Sequence, residues 1–315
     1  MKEERIASLI FGQYGLTMET VTRAGGWTNA VWFNDDLVLR LSLTKDSNRI
    51  RQEIQLSRML PVVVGYPVNI SSGVIEGYEW SISKRIRGIN LSEAWPNLTW
   101  AERSHAVKQI WEIMQAVHAV DIGKVKELSS KNPWYSSLDK DEVLSKFKYY
   151  VEKGIFTSEQ GDILSDIVKR FWSKLSTATV VLNHGDITMD NILWNEGNIV
   201  SLMDFEHSVI GPEGIDLNSL INLAFFNEEG NAPIDKNTDE EFQQYKLEIT
   251  NLINPIMKQP HYMDLLFGFA ILYNQRFLDF WLENPEGDIK QFKPYIKLVS
   301  FTEKNGGYLS QILNS

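Results

Sequence analysis

The stretch VVLNHGDITMDNILWNEGNIVSLMDFE, Val180 to Glu206, alternates apolar runs with polar turns. Val180 to Leu182 is predicted to be a short buried strand. Ile192 to Trp194 should face Ile199 to Met203 across the turn Glu196-Gly197-Asn198, forming a hairpin. The loop before the hairpin carries His184, Asp186 and Asn191, and the closing strand delivers Asp204. Asp186 and Asn191 lie five residues apart, Asn191 and Asp204 thirteen apart. A hairpin folds its ends together, so these polar groups can meet at one mouth.

The residue types limit the chemistry. A carboxylate and an amide oxygen are hard donors that suit magnesium, with phosphates and water completing the shell. The second carboxylate is free to accept a proton from a hydroxyl nucleophile. Phosphoryl transfer needs those two parts. The chain has no cysteine and no histidine cluster of the kind zinc requires, and no serine nucleophile elbow. The alternative is an ordinary hairpin carrying a solvated polar loop.

HGDITMDN followed by MDFE resembles the HGDxxxxN…D[FIW] pattern of aminoglycoside phosphotransferases and related small-molecule kinases. That superfamily shares the protein-kinase fold, with HRDxxxxN and DFG in matching places. The resemblance implies that Asp186 is the catalytic base and that Asn191 and Asp204 hold Mg²⁺, with His184 a packing residue. It also implies an α+β, kinase-like bilobal fold. Residues 1–86 would form a small β-sheet lobe with one main helix. Residues 87–315 would form a larger, mainly helical lobe, with ATP and Mg²⁺ between the two.

Composition agrees with a two-lobed globular chain. It has 315 residues, 43% of them hydrophobic, long for a single compact core. The absence of cysteine excludes a disulfide framework. The N-terminus shows no signal-peptide pattern and no apolar run reaches membrane-spanning length, so the expectation is a cytoplasmic protein without a membrane partner. A net charge of −10 with no basic stripe argues against nucleic acid and toward cationic small molecules.

In the small lobe, Gly25-Gly26-Trp27-Thr28-Asn29 separates two strand-like runs, a layout that lets backbone amides approach a phosphate. It resembles the nucleotide-positioning loop of these kinases, which makes Gly25, Gly26, Thr28 and Asn29 cofactor-binding candidates. Leu37 to Leu41 resembles the third kinase strand, with Arg40 where the family usually has lysine. Arginine keeps the charge but differs in reach and fork geometry. The following helix, capped by Asp46 or Ser47 and extending to Leu60, carries Glu53 beside its buried stripe of Ile50 and Ile54. Glu53 is therefore the expected partner of Arg40. Met18 to Arg23 and Val62 to Val64 read as short strands. The segment SISKRIRGINL resembles the hinge that binds adenine, with Lys84 and Ile86 as candidates.

The second lobe reads as helical. Thr99 and Glu102 form a capping box. Helices are predicted over 139–153, 158–175 and 262–283, and one last helix over 292–313. The ending MQAVHAVD resembles the family's LHxxD helix end, and Asp216 would hold the catalytic loop from below. Trp134 and Tyr135 are candidate pocket residues. Residues 228–241 hold six carboxylates and one cation, Lys236, and would suit the mouth of an acceptor site. The reading that results is an ATP:alcohol O-phosphotransferase whose acceptor is a cationic, aminoglycoside-like antibiotic. Metabolite alcohols such as choline, homoserine or a methylthio-sugar, and a nucleotide-binding pseudokinase, are the alternatives.

Overall fold

The computed structural model describes residues 2–25, 28–128, 139–225, 234, 239–283, 288–303 and 306–313. The chain begins with helix α1 (Lys2–Gly12), followed by strands β1 (Thr22–Ala24), β2 (Asn29–Phe33) and β3 (Leu37–Lys45). Helix α2 (Arg49–Ser57), β4 (Asn69–Ile75) and β5 (Tyr78–Lys84) complete the small lobe. The five strands form one antiparallel sheet in the order β1-β2-β3-β5-β4. Strand periodicity splits its faces. Leu39, Leu41, Trp80 and Ile82 point one way and are buried against Ile6, Ala7, Ile10 and Phe11 of α1. Val38, Arg40, Ser81 and Ser83 alternate with them and line the interlobe cleft.

The second lobe contains β6 (Ile89–Asn90), α3 (Leu91–Ala94), α4 (Trp100–His118), α5 (Ile122–Val125), α6 (Lys140–Glu152) and α7 (Ser158–Lys174). Then come β7 (Val180–Asn183), β8 (Ile192–Asn195), β9 (Asn198–Leu202) and β10 (Val209–Pro212). Helices α8 (Gly214–Phe225), α9 (Glu240–Met257), α10 (Tyr262–Glu283), α11 (Lys293–Glu303) and α12 (Gly307–Leu313) follow. Thr99 and Glu102 make the expected capping box on α4. Helix α10 is buried on most of its circumference, as its apolar sequence requires. Gly268 makes its contact with α7 possible, since a Cβ there would lie 2.2 Å from Cγ of Phe171. No helix among the described residues is long and apolar enough to cross a membrane.

Two small sheets position the catalytic segments. β7 pairs antiparallel with β10, and β8 pairs with both β6 and β9. The loop at 184–191 thus leaves β7 and enters β8, while 203–208 leaves β9 and enters β10. Both ends of both segments are pinned.

Several sequence expectations are corrected. Met18–Thr20 and Val62–Val64 are 3-10 turns, because Thr17 and Pro61 start tight turns before each run can extend. Asp46 does not cap α2, which starts at Arg49 after Asn48, whereas the Ser47 hydroxyl accepts the Arg49 amide at 3.2 Å. Asp46 instead closes the β3–β5 ladder through its amide to Gly77 O (2.7 Å) and takes a left-handed φ of 56°. The last helix is two, α11 and α12, separated near Gly306 and Gly307, both at positive φ. Trp134 and Tyr135 lie outside the described residues.

Candidate active site

The catalytic loop is held from beneath. Asp216, fully buried in the first turn of α8, accepts the amides of His184 (2.8 Å) and Gly185 (2.9 Å). His118, at the end of α4, places its Nε2 3.1 Å from the same carboxylate. The His184 ring packs edge-on against Phe205, its centroid 4.4 Å away. Its Nδ1 accepts the Asp186 amide (3.2 Å) and its Nε2 donates to Met203 O (2.8 Å), which places the ring proton on Nε2. His184 therefore ties the loop to the strand that delivers Asp204, the packing role expected of it.

Above this support, the amide nitrogen of Asn191 donates to both the carbonyl and the Oδ2 of Asp186, each at 3.0 Å. That fixes the amide with its nitrogen toward Asp186. Asn191 and Asp204 both line the interlobe cleft, which has a volume of about 540 Å³. Asp204 sits at a φ of 64°, left-handed for a residue with a side chain. Such a conformation costs about 1–3 kcal/mol and persists where surrounding structure over-determines it. Burial raises the Asp186 carboxyl above the ordinary aspartate range, and Asp204 adds to this; His184, His207 and the Asn191 hydrogen bond oppose it.

The small lobe supplies the cation. Arg40 on β3 bonds Glu53 of α2 through Nη1 (2.7 Å) and Asp204 through Nη2 (3.1 Å). Glu53 also accepts the Tyr66 hydroxyl (2.6 Å) and the Phe205 amide (2.9 Å), so its buried carboxylate is well satisfied. Burial pulls the Arg40 pKa down, but Glu53, Asp204, Tyr66 and Glu206 outweigh it and keep the guanidinium charged. The expected strand-to-helix pair is present, with a second arm reaching the opposite lobe.

The glycine-loop candidates divide. Gly25, Lys84 and Ile86 line the cleft, and Gly26 lies outside the described residues. Thr28 and Asn29 turn instead to Glu206, at 2.6 and 3.2 Å from its two carboxylate oxygens. Both side chains are thus engaged with one carboxylate. Glu206 is buried and lies 4.0 Å from Arg40. Sequence reading missed it, although a glutamate two residues beyond Asp204 was visible in MDFE. Tyr66 and Tyr273 were missed as well; Tyr273 on α10 lies near enough to Asp186 for that carboxylate to add to the upward push of burial on its hydroxyl.

The acidic run is only partly described. Asp239 caps α9 by accepting the Phe242 amide (3.1 Å) and also accepts the indole of Trp100 (3.1 Å); Glu240 and Glu241 are exposed on the first turn. Glu228, Glu229, Asp235 and Lys236 lie outside the described residues.

The donor set suits magnesium. Asp204 and Asn191 offer a carboxylate and an amide oxygen to the cleft, while no three His, Cys, Asp or Glu side chains converge as a metal site among the described residues. Magnesium is held by one or two protein oxygens together with substrate phosphates and water.

Comparison with known proteins agrees with this geometry. No curated protein sequence shows significant similarity to the chain. Among solved structures, the GDP complex of aminoglycoside 2'-phosphotransferase-IIIa matches at 16% identity and a TM-score of 0.69, covering 96% of this chain and 99% of that one. APH(2")-IIIa with GDP and kanamycin matches at 16% identity and 0.67, covering 95% and 98%. A thermostable mutant of aminoglycoside phosphotransferase APH(4)-Ia with ADP and hygromycin B matches at 12% and 0.64, covering 96% and 99%. These likenesses establish the kinase-like bilobal α+β fold. Residues 19–246 match the profile of the phosphotransferase enzyme family, APH, and the chain belongs to that family.

Proposed function

We propose that the protein transfers the γ-phosphoryl group of ATP to a hydroxyl of a small, cationic, aminoglycoside-like molecule. The observation that carries this reading is the convergence of Asn191, Asp204 and Arg40 at one cleft, with Asp186 hydrogen-bonded to Asn191. Asp186 accepts the proton of the attacking hydroxyl. Its upward-shifted carboxyl suits it to that task, because a base works best when its pKa approaches the operating pH. Asn191 and Asp204 hold Mg²⁺, which when bound screens the charge of the phosphates. Arg40, braced by Glu53, steers the phosphates, and the backbone at Lys84 to Ile86 meets the base.

Neighbouring structures with kanamycin, hygromycin B or streptomycin support a cationic polyhydroxyl acceptor. A cytoplasmic location follows from the reaction's need for ATP and Mg²⁺. The pairing of Arg40 with Glu53 and Asp204 supports an active kinase over the pseudokinase reading. A coupled ADP-release screen over aminoglycosides, peptide antibiotics and metabolite alcohols tests the proposal. Acceptor-dependent release that disappears in Asp186→Asn is expected. Nucleotide binding with no acceptor-dependent release anywhere in the screen would overturn it.

A further inference from the structure

Helix α2 starts against its own sequence. Asn48, the residue before it, makes no side-chain cap, and the first turn holds no acid but two arginines, Arg49 and Arg51. Cations at that end oppose the helix dipole, which favours negative charge there. Ser47 accepts the Arg49 amide at 3.2 Å. The next amide, that of Ile50, is met from the sheet: Glu79 of β5 accepts it with Oε2 at 3.1 Å. The other oxygen of Glu79 accepts Nε of Arg51 at 3.3 Å. Glu79 is only 2% exposed, and a glutamate is almost never buried so far unless it is paired. Ile50 and Glu53 lie three residues apart on the buried face of α2, so an anchor on the first also places the second. Glu53 in turn holds Nη1 of Arg40 (2.7 Å), the Tyr66 hydroxyl (2.6 Å) and the amide of Phe205 (2.9 Å), the residue directly after Asp204.

We propose that Glu79 is a positioning residue for phosphate binding: it takes the place of the missing cap, seats α2 on the sheet, and through Glu53 aims Arg40 and the Asp204 segment. The inference rests on the reading of Arg40 as the cation that steers the phosphates. The two groups that Glu79 accepts both belong to α2, so its influence on the nucleotide passes through that helix. The amide bond carries that influence. The arginine arm, with Arg51 63% exposed, is an ion pair at the surface and contributes little.

The test is calorimetric titration of the full chain with the magnesium complex of AMP-PNP. Glu79→Ala deletes the acceptor and should raise the Kd about tenfold, the scale of one lost hydrogen bond to a charged group. Glu79→Gln keeps an oxygen for the Ile50 amide and should raise it by about threefold or less. Arg51→Ala should stay within about twofold of wild type. A double-mutant cycle with Glu53→Gln separates positioning from general support. A residue that acts through Glu53 adds little once Glu53 is disabled, so Glu79→Ala combined with Glu53→Gln should bind within about twofold of Glu53→Gln alone. Where Glu79→Ala does not fold, the same cycle is read with Glu79→Gln. Kd changes that multiply in the cycle would overturn the inference, since Glu79 would then act by another route. Binding unchanged in both Glu79 variants but weakened in Arg40→Ala would also overturn it and leave the reading of Arg40 standing. A wild type that does not bind the nucleotide, or Arg40→Ala that binds it as wild type does, would remove that reading and this inference together.

Discussion

Thr28 donates its hydroxyl to Glu206 at 2.6 Å across 178 residues of sequence, joining the β1–β2 loop of one lobe to the β9–β10 segment of the other. Asn29 adds a second bond to the other oxygen, and Arg40 stands 4.0 Å away. The β1–β2 loop and the segment that carries Asp204 are thus seated on one buried carboxylate. Thr28→Val removes a hydrogen bond to a charged group, worth about 1.5–3 kcal/mol. The expected result is a raised KM for ATP with turnover changed less than about threefold, because the loop is loosened while the base is untouched. Steady-state kinetics at varied ATP checks it. An unchanged KM would mean that the loop is positioned without Glu206.

Asp186→Asn should lower turnover by two to four orders of magnitude, roughly the range for a lost general base. ADP affinity measured by calorimetry should stay within about threefold, since asparagine keeps an oxygen to accept the Asn191 hydrogen bond. The pH dependence has a definite sign. Asp186 must be ionised to accept a proton, and burial raises its pKa. The rate should therefore fall as pH drops through a value above the ordinary aspartate range, and that limb should vanish in the variant.

Arg40 and Glu53 form a buried pair, with side-chain exposures of 19% and 1%. Removing one partner of such a pair costs about 3–5 kcal/mol, because the other charge is left without compensation. Arg40→Ala should accordingly shift the urea midpoint far more than Arg40→Lys, which preserves the charge and loses only the fork. ATP use should follow the same order. Equal stability of the two variants would show that the pair contributes little.

How much of this was legible beforehand depends on whether the signal was local. Asp186, Asn191 and Asp204 sit on a motif whose hairpin is encoded by a turn and two apolar runs, so their convergence could be read along the chain. Arg40 and Glu53 required only a strand followed by a helix. Glu206 could not be placed in this way: its partners Thr28 and Asn29 are distant in sequence, and their short polar side chains resemble any turn residue. Tyr66 was hidden for the same reason, since its value lies in one hydroxyl bond to Glu53. The division of the last helix turned on backbone torsion at Gly306 and Gly307, a local cue that apolar periodicity masked.

Asp204 bonds Arg40 in this structure, and the proposed function gives its carboxylate a second claimant in Mg²⁺. Asp204→Ala should abolish magnesium-dependent ATP binding. Asn191→Ala should raise the magnesium concentration needed for half-maximal activity, because it deletes one of two protein oxygens. Arg40→Lys, with a single ammonium in place of a fork, should hold Asp204 less firmly and lower that requirement. Magnesium titrations of all three variants separate these outcomes, and an unchanged requirement in Asn191→Ala would remove it from the ligand set.

The last expectation concerns the acceptor. A chain of net charge −10 concentrates cations near its surface. Salt screens such attraction over about 8 Å at physiological ionic strength. The KM for a cationic acceptor should therefore rise as salt is added, while the KM for ATP, which the proposed function places against the half-buried Arg40, should respond less. The described end of the acidic run sharpens this test. Asp239 caps α9, so Asp239→Ala should cost about 1 kcal/mol of stability and leave the acceptor KM alone. Glu240→Gln and Glu241→Gln, on an exposed helix turn, should shift neither stability nor KM beyond about twofold. If those two substitutions raised the acceptor KM severalfold, the first turn of α9 would belong to the acceptor site. A salt-independent KM for every accepted substrate would instead point to a neutral or anionic hydroxyl compound, with the phosphotransferase chemistry at Asp186 unaffected.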